Sequence, residues 1–196
     1  MKVDAKDPIQ HAREVLSGYE PQLILDPTLR PAAVLMLLFE EAGEPHVLFI
    51  ERTQNVTQHK GQVAFPGGSR EESDADVIET ALREAEEEVG LPQAQVEVLG
   101  RLDDMITRTG YLVSPVVGVL RPGISREFIP QEWEVAQVLE VPLRHLADPA
   151  NFGMIPRQLQ GRRVELHTFL WGNFQIWGAT AEILLGFLGL LGYREP

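Results

Sequence analysis

The chain has 196 residues, 44% hydrophobic and 23% charged, enough for one medium-sized globular domain and unlike a disordered or fibrous chain. It has no cysteine, which excludes disulfides, thiolate metal sites and a cysteine nucleophile and fits a reducing, cytoplasmic setting. A net charge of −12 disfavours nucleic acid and anionic membranes as partners, and a phosphate-bearing small molecule would need a cation between itself and the acidic protein.

Residues Met1 to Asp7 are too charged to begin a secretory signal. The first thirty residues read as a peripheral segment, in which Pro8 to Tyr19 suits a short amphipathic helix. Residues 31–196 read as a single domain. Ala32–Phe39 is a continuous apolar run, as expected of a buried strand, and after the turn at Glu41–Pro45 a second strand over His46–Arg52 completes a hairpin. Gln62–Phe65 predicts a short strand that Pro66-Gly67-Gly68 should end. The spacing of Ile78, Leu82, Ala85 and Val89 predicts a helix over Val77–Val89, with Gly90 as its stop. Strands are predicted at Val96–Leu102, Tyr111–Leu120, Val135–Val141, Val164–Trp171 and Phe174–Trp177, and a closing helix at Thr180–Leu191. The apolar run Ile176–Leu191 falls short of the about 20 residues of a membrane span and carries Glu182 and several glycines, so it predicts a buried helix. Without strict βαβ alternation, the order implies an α/β (α+β) fold with a mixed sheet between helices.

The chemistry concentrates on the predicted helix Val77–Val89. At about 100° per residue, Glu84, Glu87 and Glu88 share an arc of about 100°, beside the apolar stripe, while Glu86 points away. Like charges so placed destabilise a helix by a few tenths of a kcal/mol per pair. A bound Mg²⁺ or Mn²⁺ would reverse that repulsion, whereas a solvated acidic face would simply bear it.

The wider pattern separates these readings. Arg83-Glu84-Ala85-Glu86-Glu87-Glu88-Val89-Gly90-Leu91, preceded by Gly67-Gly68, resembles the box of the Nudix family, and its second half is matched in full. In the first half Asp74 stands where that pattern has a glutamate, and the interval to Arg83 is one residue longer. The resemblance implies the Nudix fold, metal ions held by Glu84, Glu87 and Glu88, Arg83 orienting Glu84, and Gly67-Gly68 approaching the metal or phosphates through backbone atoms.

Upstream, the segment from Arg52 through His59, Gly61 and Val63-Ala64-Phe65-Pro66-Gly67-Gly68 resembles the coenzyme A diphosphatase branch of that family, which shares the longer loop. Gly110–Gly118 and Ile176–Ala181 resemble it too, so the likeness spans roughly residues 31 to 190. It implies a small-molecule substrate, coenzyme A or a related diphosphate, with Arg52, His59, Gly67 and Gly68 as substrate-binding candidates. The chain departs from the branch at Thr53, Val56 and Thr57. The last matters most, because an arginine there could fork onto phosphate and threonine cannot; Lys60, Arg162 and Arg163 are candidate replacements. Glu84, Glu132 and Glu134 are candidates for the general base. Two alternatives stand beside this reading: a Nudix enzyme of another nucleoside diphosphate derivative, such as ADP-ribose or an oxidised nucleotide, and a non-catalytic binding module.

Overall fold

The computed structural model describes residues 7–55, 61–123, 127–159 and 161–194. After helix α1 (Pro8–Ser17), strand β1 (Arg30–Glu41) runs through the middle of the molecule, apolar on both sides. Ala33, Leu35, Leu37 and Phe39 face one core, and Ala32, Met36 and Leu38 face the other. A continuous apolar run rather than an alternating one follows from this two-sided burial. Strand β2 (Glu44–Arg52) pairs antiparallel with β1, forming the expected hairpin, and divides its side chains the same way.

The chain continues through β3 (Val63–Ala64), β4 (Gly67–Ser69), helix α2 (Val77–Val89), β5 (Val96–Arg101), β6 (Met105–Ile106) and β7 (Tyr111–Leu120). Then come β8 (Val135–Pro142), helix α3 (Leu143–Ala147), β9 (Phe152–Leu159), β10 (Arg162–Trp171), β11 (Phe174–Trp177) and helix α4 (Ala179–Leu190). Among the described residues the strands form two sheets. The larger has the order β3-β2-β1-β7-β5, with β4 added to β1, β6 to β7 and β8 to β2. It is mixed: β1 and β7 run parallel, and the other pairs are antiparallel. The smaller, β11-β10-β9, is antiparallel throughout.

Helix α2 covers one face of the large sheet through Ala81, Ala85 and Val89. The opposite face is covered by α1, α3, α4 and residues of the small sheet, with Phe169, Ile176, Leu184 and Phe187 at its centre. The N-terminal segment expected at the periphery thus contributes Ile9, Ala12 and Leu16 to a core. Helix α4 is apolar nearly all round because it is buried, and among the described residues no helix is long and apolar enough to cross a membrane.

Three expectations need correcting. Pro66-Gly67-Gly68 does not simply end a strand: Gly67–Ser69 forms β4, antiparallel to β1. Strand β9, which contains Gly153 and Pro156, was not expected; its long pairing with β10 puts the last three strands in a sheet of their own. The buried face of α2 is also turned from the predicted stripe. Ile78 and Leu82 are only half-buried, while Thr80, Ala81, Ala85, Glu88 and Val89 are buried. Ala85 and Val89 are thus buried as the stripe predicts, and Ile78 and Leu82 pack against the edge of the same core.

Candidate active site

Helix α2 is positioned at both ends. The Asp76 side chain caps its N-terminus by accepting from the Ile78 and Glu79 amides, and Gly90, at φ 66°, adopts the left-handed conformation that closes its C-terminus. Pairing of β4 with β1 brings Gly67 and Gly68 alongside the helix. A β-carbon on Gly68 would lie 2.5 Å from the Glu84 carboxylate, and one on Gly67 would lie 2.4 Å from the Ala33 carbonyl oxygen. The two glycines are therefore required for different reasons, one by a side chain and one by backbone.

Glu88 points into this gap and is 3% exposed. The Gly67 amide donates to its Oε2 at 2.9 Å, and Arg52 Nη1, at the end of β2, donates to its Oε1 at 2.9 Å. Burial pushes the Glu88 carboxyl up to about 7 against the Gly67 and Arg52 contacts, and the neighbouring Glu84 and Glu134 push it the same way. Burial likewise raises Glu84; Arg83 opposes the shift, and Glu87 and Glu134 add to it.

Arg83 forks onto Asp74, with Nε 2.9 Å from Oδ1 and Nη2 3.1 Å from Oδ2. The same guanidinium reaches Glu84 Oε1 and Glu87 Oε2, each at 3.0 Å, and the Ser69 carbonyl at 3.1 Å. Asp74 is itself buried and accepts from the Glu71 amide and the Thr80 hydroxyl, both at 2.9 Å. The Arg83 fork holds its carboxyl well below the usual carboxylate range despite burial, helped by those two donors. Asp74 therefore anchors the arginine that bridges Glu84 and Glu87. The family pattern marks the position of Asp74, but nothing in the sequence ties it to Arg83.

Glu134 Oε2 lies 3.7 Å from Arg52 Nη2, so it shares that guanidinium with Glu88, and its charge acts on both Glu84 and Glu88. Glu132, the other loop candidate, is exposed and takes no described part in this network. Arg162 and Arg163 are exposed at the turn end of the β9–β10 pair. Of the remaining candidates, Val56, Thr57, His59 and Lys60 lie outside the described residues. A surface depression of about 470 Å³, lined partly by Pro8, Glu44, Leu143, Arg144 and Tyr193, shares no residue with the glutamate cluster, and its Glu44 and Arg144 pair with each other.

The model of the NUDIX domain matches residues 29–158. The chain belongs to the Nudix family. It is 39% identical over 155 residues to the uncharacterized Nudix hydrolase NudL of Photorhabdus laumondii, covering 79% of this chain and 81% of that protein. It is 35% identical over 164 residues to the uncharacterized NudL of Shigella flexneri, covering 84% of each. Among solved structures, a MutT/nudix family protein from Enterococcus faecalis aligns with a TM-score of 0.56 over 97% of this chain and 71% of that one, at 17% identity. The M. smegmatis Nudix hydrolase RenU aligns with a TM-score of 0.50, at 23% identity, over 61% and 74%. At such identities these two likenesses concern the fold.

Nudix hydrolases act on nucleoside diphosphate derivatives and generally use divalent metal ions. The donor chemistry here suits such an ion: four glutamates provide hard oxygens, and burial and mutual repulsion raise the pKa of Glu84 and Glu88. Among the described residues, no three His, Asp or Glu side chains are drawn together closely enough to hold an ion as they stand. Arg52 and Arg83 instead contact oxygens of Glu88 and Glu84.

Proposed function

We propose that this Nudix hydrolase cleaves the diphosphate linkage of coenzyme A or its derivatives, giving 4′-phosphopantetheine and adenosine 3′,5′-bisphosphate. One observation carries the reading: both ends of the upstream motif contact the same carboxylate. Arg52 donates to one oxygen of Glu88 and the Gly67 amide to the other. The two described ends of the segment that resembles the coenzyme A branch thus meet at the glutamate site.

In this proposal Glu84 and Glu88, flanked by Glu87 and Glu134, would hold Mg²⁺ or Mn²⁺, and such an ion would supply charge neutralisation for the diphosphate and acidify the attacking water. Arg83 orients Glu84, and Arg52 orients Glu88 rather than gripping substrate through that contact. Gly67 and Gly68 let the strand approach the carboxylates. Water oxygen attacks one phosphorus as the bond from that phosphorus to the bridging oxygen breaks, and a glutamate takes the water's proton. Glu134 is favoured over Glu132 for that step because it alone of the two stands against Arg52.

One residue favours a second reading. Thr57 replaces the arginine of the branch, so another nucleoside diphosphate derivative, such as ADP-ribose, is the alternative substrate. Chromatographic analysis of products formed from coenzyme A with Mg²⁺ tests the choice. Equal yields of 4′-phosphopantetheine and adenosine 3′,5′-bisphosphate are expected. Intact coenzyme A under conditions that cleave ADP-ribose or an oxidised nucleotide would transfer the assignment to the alternative.

A further inference from the structure

The segment leading into β8 is fixed against the C-terminal end of α2. The Ile129 amide donates to the Val89 carbonyl and the Gln131 amide to the Glu88 carbonyl, both at 2.9 Å. The Trp133 amide donates to Gln131 Oε1 at 2.6 Å, and its carbonyl accepts the Thr53 hydroxyl at 2.6 Å. The Thr53 amide in turn donates to the Glu134 carbonyl at 2.8 Å. The backbone around Trp133 is thus held both from the glutamate helix and from the residue that follows Arg52.

Despite this anchoring, Trp133 is 65% exposed and belongs to neither core. Tryptophan is a residue that folding normally covers. Here a backbone fixed by these hydrogen bonds leaves it uncovered, next in sequence to Glu134. Its neighbour Glu134 stands 3.7 Å from Arg52, which bonds Glu88. A nucleoside diphosphate derivative carries its base one ribose away from its phosphates, so a diphosphate held at the carboxylates brings the base within reach of the surrounding rim. An acidic rim offers little electrostatic attraction to a phosphorylated ligand, but stacking on an indole needs no charge. A platform already held in place also avoids much of the ordering cost of binding.

We propose that Trp133 is the platform on which the aromatic base of the substrate stacks, making it a specificity-determining residue of this site. The inference rests on the reading above, that the diphosphate of a nucleoside derivative lies at Glu84 and Glu88.

Two variants and one optical measurement test it. Trp133→Ala should raise KM for coenzyme A about tenfold, the loss of one base–aromatic stack, while kcat stays within a few-fold. Trp133→Phe should restore most of the affinity, and both variants should melt with the wild type. AMP should quench tryptophan fluorescence of the wild type but not of Trp133→Phe, and ribose 5-phosphate, which has no base, should quench neither. A wild-type KM in Trp133→Ala would overturn the proposal, as would equal quenching by AMP and ribose 5-phosphate. If the wild type does not hydrolyse coenzyme A, the substrate reading fails; quenching by AMP alone, lost in Trp133→Phe, would still support the platform.

Discussion

Replacing Asp74 by asparagine preserves the shape of a buried side chain and removes its charge. Four donors converge on the carboxylate: Arg83 Nε on Oδ1, and Arg83 Nη2, the Glu71 amide and the Thr80 hydroxyl on Oδ2. Neither orientation of an amide satisfies them. With its NH₂ at the Oδ1 position it opposes Arg83 Nε, and at the Oδ2 position it opposes both Arg83 Nη2 and the Glu71 amide. Breaking a buried pair costs about 3–5 kcal/mol when the remaining charge is abandoned. Arg83 keeps Glu84, Glu87 and the Ser69 carbonyl, so the loss falls below that, at about 2–3 kcal/mol. For a domain of this size that corresponds to a fall in Tm of about 5–10 °C.

The pH dependence has a definite sign. The folded-state pKa of Asp74 is depressed, so its contribution is fully present above the unfolded carboxylate value, about 3.9, and is lost as pH falls through the folded value. The gap in Tm between wild type and Asp74→Asn should therefore hold from neutral pH down to about 4 and close only in stronger acid. Thermal melts of both proteins across this range make the comparison. A variant melting within about 2 °C of wild type at pH 7 would mean that Asp74 does not anchor Arg83, since even 1 kcal/mol moves Tm by about that much.

The remaining predictions concern the glutamate cluster. Gly68→Ala drives a methyl group into the Glu84 carboxylate, a movable side-chain end, so turnover should fall at least tenfold with little change in melting; Gly67→Ala meets the backbone of Ala33 and Val34 and should lower Tm itself. Glu84→Gln and Glu88→Gln should each reduce kcat by orders of magnitude in a folded protein, whereas Glu86→Gln, on the exposed face against Gln93, should stay within a few-fold; comparable losses at all three would refute a positioned set of ligands. Excess EDTA should abolish turnover and added Mg²⁺ or Mn²⁺ should restore it, and full activity in EDTA with no metal retained would exclude the metal role. If a basic residue compensates for Thr57, kcat/KM for coenzyme A should exceed that for its analogue lacking the 3′-phosphate, and equal values would show that this phosphate is not read.

What the sequence by itself determined was whatever depends on neighbours along the chain. The span of α2, from Val77 to a glycine stop at Gly90, follows from spacing within one helix, and the β1–β2 hairpin follows from two apolar runs across a short turn. The box motif was readable for the same reason, since one turn of helix suffices to put Glu84 and Glu88 on one side. Contacts between distant segments were settled only by the tertiary structure. Gly67 and Gly68 have no side chains to announce a strand, and their pairing with β1 appears only when β1 lies beside them. The full face that α2 buries also came from the tertiary structure: Ala85 and Val89 are buried as expected and Ile78 and Leu82 pack at the edge of the same core, while Thr80, Ala81 and Glu88 join the buried face. Arg52 meets Glu88, and Asp74 meets Arg83, because strand ends and loops converge there. An ion pair has no periodicity along the chain, so only the three-dimensional arrangement could reveal which charge each arginine serves.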